Sequence, residues 1–463
     1  MRLSRMNRFH FVGIGGSGMS GLAEVLVNLG FTVTGSDLKE NDATRRLSAL
    51  GVGIAFGHRP ENVGGAQVVV FSSAVTAENP EVQEARRRGL PVIPRGEMLA
   101  ELMRLKTSVV VAGSHGKTTV TAMIAHLAHL AGLDPTVVIG GRLSTLGSSA
   151  RLGHSDLLVA ESDESDRSFL LLHPSLAVVT NVDWEHVDRY PSPEDLHGAF
   201  LEFMNRVPFY GALVACADDG GVRALLPSVR RRVVRYGVAS PADVSAETAE
   251  TPPGFGEAFV LSVRGQRRGL LRLRQVGRHI VLNALAAAAA TEEMEIPFEA
   301  VAEGLATFPG VDRRFEFKGE AASVRVVDDY GHHPTEIGAV LEAARKTAAG
   351  GRVVILFQPH RFTRLRAFSG AFADVLSSAD LLWITEVYAA SEPPIPGVTG
   401  EALAQRVRQA GHREVRYCPR VEDLPEAVLP HLRPGDLVVT LGAGTITAVG
   451  PRLLNLLEGR HGP

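Results

Sequence analysis

Thr107-Ser-Val-Val-Val-Ala-Gly-Ser-His-Gly-Lys-Thr-Thr119 reads as a β-branched strand running straight into a glycine turn, with Lys117 and Thr118 at the mouth of a helix. The common phosphate-loop pattern G-x-x-x-x-G-K-[ST] needs glycine at position 111, where this chain has Val111. The loop is therefore a shortened one, G-x-x-G-K-T, but its working parts survive. Backbone amides of Gly113 to Thr119 face a phosphate, Lys117 reaches the β- and γ-phosphates, and Thr118 serves Mg²⁺. A turn without function is the bland alternative. Gly-Lys-Thr-Thr at a strand-to-helix junction argues against it, and the stretch reads as a nucleoside triphosphate site.

Outward from the loop, a helix spans Val120 to Leu130 and stops at Gly132. Strands at Leu157 to Ala160 and Leu176 to Thr180 deliver two polar clusters, Glu161-Ser-Asp-Glu-Ser-Asp166 and Asn181-Val-Asp-Trp-Glu-His186. Parallel strands place their C-terminal ends on one edge, so Glu161 and His186 can both reach a metal beside Thr118. Mg²⁺ prefers oxygen, which makes His186 a second-site ligand or an acid–base group. For Asp163, Glu164 and Asp166 the competing reading is a solvated helix N-terminus, where acidic side chains favour the dipole.

Two further strand–turn–helix openings flank this one. Arg8 to Val12 leads into Gly13-x-Gly15-x-x-Gly18, a helix from Met19 to Leu29, and a strand from Phe31 to Asp37. That pattern matches a dinucleotide fingerprint, but NAD and a UDP-sugar both carry a pyrophosphate, so the motif alone does not choose between them, and a purely structural turn is the third reading. Further strands fall at Ala66 to Phe71 and Pro91 to Pro94, followed by a helix near Glu97 to Leu105. The third opening begins near Ala321, with strands at Val324 to Val327, Val353 to Phe357, Leu381 to Ile384 and Leu437 to Leu441. Polar clusters Asp328 to Thr335 and Gln358 to Arg364 follow two of these strands, and Arg361 and Arg364 suit bidentate contacts with carboxylate or phosphate. Strands alternating with helices predict α/β domains with doubly wound parallel sheets. Ser240 to Gly269, rich in Pro, Gly and small residues, predicts an irregular β excursion.

A chain of 463 residues exceeds one core, and about three domains are expected. The net charge of -3 gives no pull toward nucleic acid or an anionic membrane. Cys216 and Cys418 stand in no metal or disulfide spacing, which fits a reducing compartment. Arg2, Arg5 and Arg8 precede an apolar stretch as in a secretion signal, but Gly13, Gly15, Gly16 and Gly18 break it. The most apolar run, Leu282 to Ala290, is far short of the roughly 20 residues that span a bilayer. A cytoplasmic protein with no nucleic-acid partner and no membrane insertion is expected.

In this order, His10 to Met19, Ala112 to Thr119, Glu161 to Asp166, Phe308 to Phe315, Asp328 to Thr335, Gln358 to Arg366 and Gly435 to Gly444 resemble the Mur ligase family over nearly the whole chain. The resemblance implies three domains: a UDP-sugar-binding Rossmann-like domain (1–106), a central P-loop ATPase-type domain (107–316) and an amino-acid-binding Rossmann-like domain (317–463). It implies that ATP phosphorylates the lactoyl carboxylate of UDP-N-acetylmuramate, that the amine of L-alanine attacks the acyl phosphate, and that phosphate then leaves. The sister activity, a murein tripeptide ligase, usually has Ala-His-His where this chain has Gly331-His332-His333.

Carried over by resemblance, Gly113, Ser114, His115, Gly116, Lys117, Thr118 and Thr119 bind ATP, with His279, Asn283 and Arg314 toward the nucleotide. Thr118, Glu161 and His186 hold Mg²⁺, and His332, Arg361 and Arg364 meet the lactoyl-alanine end. Gly15, Gly16, Ser17, Gly18, Met19, Asp37 and Ser72 serve the UDP-sugar. Ile280 replaces the usual Asn of this family segment, which shifts adenine recognition toward His279, Asn283 or backbone, and Glu185 stands where Asp is usual. Closure of the outer domains is expected to bring the reactants together, in a monomer or homodimer. The competing classes are an NAD-dependent oxidoreductase built on the first glycine turn, which leaves Lys117 and the third-domain clusters without a task, and a nucleotide-binding regulator without turnover.

Overall fold

The computed structural model describes residues 6–459 except 73, 105, 140–149, 188, 253 and 255, and for Ser17 the backbone but not the side chain. Three mixed α/β units follow one another, each built on its own sheet. In the first sheet, five parallel strands lie in the order Gly53–Phe56, Thr32–Asp37, Arg8–Val12, Val68–Phe71, Val92–Pro94. The strand order reverses beside Arg8–Val12, so the first glycine turn opens at the crevice where such sheets take ligands.

The second sheet has ten strands. Thr107–Ala112 runs parallel between Leu157–Glu161 and Leu176–Val179, with Val111 opposite Glu161 and Ala112 opposite Val179. That register brings both later strand ends level with the phosphate loop. All of Thr107–Ala112 except Thr107 is buried, the pattern of a strand covered on both faces, which is why it reads as an unbroken Val run. The helix after the loop starts at Lys117, three residues before the reading from sequence, because the turn passes directly into it at Gly116. The excursion expected over Ser240 to Gly269 is more regular than its composition suggested. Val244–Thr248, Glu257–Val263 and Gln266–Leu273 form an antiparallel ribbon on the sheet edge, with one irregularity at Leu261/Ser262. Strands Gly53–Phe56, Ala212–Cys216, Val233–Gly237 and Val415–Tyr417 were not read from sequence, being short or flanked by polar residues.

The third sheet runs Glu316–Ala321, Val324–Asp329, Leu437–Leu441, Val353–Phe357, Leu381–Ile384, Val415–Tyr417, antiparallel only at its first pair. Its strands end at the two polar clusters and at Gly442.

Packing joins the units unequally. One continuous apolar core runs from the first unit into the second, through Met19, Leu22, Leu26, Met98, Leu102, Phe169, Phe200 and Phe203. Met19, assigned to the UDP-sugar by resemblance, is 1% exposed in this core, and its amide donates to Gly16 O. The third sheet has its own apolar layers on its two faces. Among the described residues no helix is long and apolar enough to cross a membrane. Cys216 and Cys418 are free and buried.

Beneath the first glycine turn lies a buried carboxylate, Glu81. It accepts from Ser36 Oγ at 2.5 Å, Asn62 Nδ2 at 2.6 Å and the Arg59 amide at 3.1 Å, and lies 3.2 Å from His10 Nε2. Burial pushes its pKa up, but the bonds from His10, Ser36 and Asn62 prevail and hold it at about 2. With the folded value below the ordinary 4.5, the stabilisation is complete above that pH and is lost as pH falls toward 2. Glu81→Gln should therefore flatten the acid limb of melting temperature against pH in that window, as followed by circular dichroism. An unchanged acid limb would refute the assignment.

Candidate active site

The phosphate loop needs glycine at two places. Gly113 has φ +138 and a Cβ there would sit 2.1 Å from Thr180 Oγ1; Gly116 has φ +80 and a Cβ would lie 2.7 Å from Asn283 Oδ1. The next strand end braces what the loop lacks in length. Asn181 Oδ1 accepts from the His115 amide at 2.7 Å, while Thr180 Oγ1 and Asn181 Nδ2 donate to His115 O at 2.6 and 3.0 Å. Ser114 Oγ bonds both backbone groups of Asp183, at 2.8 and 2.9 Å. Helix Lys117–Leu130 begins with no side-chain cap from Gly116, so its N-terminal dipole end is turned on the loop. Thr118 and Thr119 lie buried on its first turn.

Lys117 Nζ donates to Gly113 O at 2.6 Å and Ser114 O at 3.2 Å, and pairs with both oxygens of Glu164 at 2.9 and 3.1 Å. Burial opposes its charge, but Glu164, Asp163 and Glu185 keep the ammonium above its ordinary range. Glu164 is fully buried, and burial raises it despite Lys117. His186, at left-handed φ +52, sets Nε2 3.3 Å from Glu164 and from Glu185. Against burial, Glu185 and Glu164 lift it to about 10, so it is cationic near neutrality.

The acidic cluster is thus not the solvated helix end that was the competing reading. Glu164 is enclosed, and Asp163, Glu164 and His186 bring three ligand-type atoms within 4.8 Å. Glu161 ends the strand beside the loop but is not one of these three. Asp163 and Asp166 each accept from the amide two residues on, that of Ser165 at 3.0 Å and of Ser168 at 2.9 Å. The strand-end logic located this segment; nothing in spacing said that Glu164 would be the counter-ion of Lys117.

From the third unit, His332 donates Nδ1–H to Tyr330 O at 3.0 Å; burial holds its pKa at about 4, so the ring is neutral. His360, lowered to about 3 by burial and then by His332, Arg364 and Arg361, stacks on Tyr388. Arg364 is buried, with NH1 3.2 Å from His360 Nδ1 and NH2 3.9 Å from Glu185. Arg361 opens the next helix at φ +68. Arg361, Arg364, Thr363 and Phe368 share a narrow cleft with His186 and Val187.

The remaining assignments fall in three places. His279, lowered to about 4 by burial and by Arg314, is neutral, and Arg314 lies 3.7 Å from Glu336. Asn283 abuts Gly116. Ile280 is 5% exposed in the central core, so the departure at this position faces inward. In the first unit, Asp37 Oδ2 accepts from the Gly15 amide at 2.8 Å, and a Cβ on Gly18 would meet Arg95 at 2.8 Å. Gly16 precedes the helix, and Ser72 Oγ accepts from the Ala74 amide; the side chain of Ser17 lies outside the described residues. The sequence reading also passed over Asp183 and Glu336. The first sits at the strand end already flagged, and the second closes a capping box behind Pro334.

Comparison with known proteins matches three family models along the chain: "Mur ligase family, catalytic domain" over 8–107, "Mur ligase middle domain" over 111–291 and "Mur ligase, glutamate ligase domain" over 313–444. A UDP-N-acetylmuramate–L-alanine ligase of Myxococcus xanthus is 56% identical, over 97% of this chain and 95% of its own. One from Anaeromyxobacter dehalogenans is 54% identical over 98% and 99%. Among solved structures, a UDP-N-acetylmuramate–alanine ligase from Thermotoga maritima superposes with TM-score 0.82 at 29% identity, covering 98% of this chain and 99% of its own. A murein peptide ligase from Psychrobacter arcticus gives 0.70 at 25%, over the same shares.

Gly116→Ala forces a Cβ into Asn283 and a left-handed backbone costs an alanine about 1–2 kcal/mol. The expected outcome is a lower melting temperature together with a large loss of ATP affinity by calorimetry. Retained affinity would show that the loop tolerates a side chain at this point.

Proposed function

The chain belongs to the Mur ligase family, and on that footing we propose that it joins L-alanine to the lactoyl carboxylate of UDP-N-acetylmuramate, driven by ATP, on the route to peptidoglycan. The observation that carries this is the braced loop holding Lys117, in a chain akin over its whole length to ligases of that name. The carboxylate takes the terminal phosphoryl group of ATP, releasing ADP and giving an acyl phosphate; the alanine amine attacks the carbonyl carbon and gives up a proton, and phosphate departs as the amide forms. Phosphoryl transfer asks the protein for position and for positive charge. Lys117 exchanges Glu164 for phosphate oxygens, and the N-terminal end of its helix adds amide donors. Arg361, Arg364 and His332 hold the alanine and lactoyl end, and the first glycine turn receives the UDP group. His279, Asn283 and Arg314 flank the nucleotide.

The donor set beside Lys117 suits a hard cation, because Asp163 and Glu164 offer carboxylate oxygens next to His186. Thr118, Glu161 and His186, joined by Asp163 and Glu164, are the residues proposed to hold Mg²⁺, His186 as the neutral ring left when the cation takes the place of its proton; when bound the ion would neutralise phosphate charge. Two free buried thiols suit a reducing compartment, and the reading puts the enzyme in the cytoplasm as a monomer or homodimer. An oxidoreductase is not favoured, since it would leave Lys117, Arg361 and Arg364 idle.

Phosphate release is expected to require both UDP-N-acetylmuramate and an amino acid, with L-alanine best. Equal stimulation by glycine and L-serine would overturn the amino-acid assignment while sparing the reaction class. In the same assay Lys117→Ala should lose on the order of 10² to 10³-fold in rate, as expected when a charged group that stabilises a transition state is truncated. Near-normal turnover would remove Lys117 from the phosphate site.

A further inference from the structure

The contacts between the phosphate loop and the third unit have no part in the chemistry above. Asp183 accepts from Thr335 Oγ1 at 2.5 Å and lies 3.0 Å from His115 Nε2 and 3.4 Å from His333 Nδ1. The other ring nitrogen of His115, Nδ1, faces Glu336 Oε1 at 3.4 Å. One imidazole of the phosphate loop therefore stands between a carboxylate of its own unit and a carboxylate of the other.

Each partner is tied in turn to a reacting loop. Asp183 is fastened by its backbone to Ser114 Oγ. Glu336 Oε2 accepts from the His332 and His333 amides at 2.9 and 3.2 Å. A shift of the third unit thus moves the His332 loop and tugs at the phosphate loop through the same few atoms.

We propose that His115 and Asp183 on one side and Thr335 and Glu336 on the other are positioning residues, a latch that sets the His332 loop in register with the phosphate loop when the third unit docks. The latch rests on the ligase reading only in what it assembles, the acceptor end against the phosphoryl end. With both ring nitrogens directed at carboxylates, His115 is an imidazolium donating in both directions. Burial opposes that charge, but Asp183 and Glu336 raise its pKa to about 10, so the latch is charged throughout the neutral range. Around it lie ring contacts, Trp184 and His333 each edge-on to Phe368, and further charged contacts, Arg314 with Glu336 and Arg364 with Glu185. Such a joint holds by direction and charge, and it can open without exposing a large apolar face.

The full-length chain tests this with His115→Ala, Glu336→Gln, their double variant, Thr335→Val and Thr335→Ser. Rates and KM values come from phosphate release, and compactness from solution X-ray scattering with ADP and UDP-N-acetylmuramate present. Misplacement of reacting groups by about 1 Å costs on the order of 10²-fold in rate, so His115→Ala and Glu336→Gln should each lose about that much in kcat. The double variant should lose no more than the worse single one, because both cut one connection. Glu336→Gln and Thr335→Val should leave KM for ATP in place and give a larger radius of gyration than the parent, and Thr335→Ser should restore both rate and compactness. Should Glu336→Gln unfold through loss of its capping bonds, Thr335→Val carries the test, since it leaves that cap intact. Losses that multiply in the double variant, or a Thr335→Val protein as fast and compact as the parent, would overturn the latch. A parent protein that releases no phosphate with both substrates sinks the ligase reading instead, and the scattering comparison still decides the latch.

Discussion

The ammonium of Lys117, withdrawn from water, is the demand around which the fold is arranged. A buried charge is tolerable only when paired and hydrogen-bonded, and here Glu164 and the Gly113 and Ser114 carbonyls supply the pairing. These groups come from two separate segments, so the ends of neighbouring parallel strands must lie level. Thr107–Ala112 is consequently an inner strand of a wide sheet, flanked by the strands that end at Glu161 and Val179. An inner parallel strand has to be covered on both faces. Helices Lys117–Leu130 and Arg278–Glu293 cover one face, where the run Ala284 to Ala290 lets them approach. Phe200 and Phe203 cover the other, and Met98 and Leu102 of the first unit complete it.

The first unit is therefore part of the roof of the central sheet, whereas the third is held by polar and aromatic contacts. A shared apolar core resists separation, because every exposed Å² of it carries a hydrophobic cost. The third unit's seam is instead built on ion pairs and hydrogen bonds among buried and partly buried groups, which hold by direction and charge rather than by apolar area. Its Arg361 and Arg364 line the cleft beside His186.

How much of this the sequence disclosed follows from which signals are local. The strand before the loop, the glycines and Lys117 were legible because strand, turn and helix start are adjacent in the chain. Glu161 and His186 were legible as strand ends, since parallel strands share an edge. Glu164 was hidden: an acidic residue three places past a strand end has the same composition whether it faces water or a lysine, and only the fold of Glu161 to Asp166 decides. The face of Ile280 was hidden for a related reason, because a helix position says nothing about its burial until the partner helix is known. The ribbon from Val244 to Leu273 was blurred by the prolines and glycines of its connections, although its strands alternate. The latch residues lie 152 positions apart for Asp183 and Thr335, beyond the reach of any spacing argument.

The histidines show how environment divides one residue type between two tasks. His115 and His186 sit among carboxylates at the phosphoryl end and are cationic, while His332 and His360 sit beside arginines at the other end and are neutral. The division is electrostatically consistent. Beside the phosphate loop, fixed carboxylates need cations to balance them, and these rings supply part of that charge. At the acceptor end Arg361 and Arg364 already provide positive charge, and burial then keeps the imidazoles uncharged. With Nδ1–H of His332 committed to Tyr330 O, its Nε2 carries the lone pair. Under the proposed reaction an amino acid arrives as an ammonium and must shed a proton before it can attack, so a neutral ring at this end and charged rings at the other match the order of the chemistry.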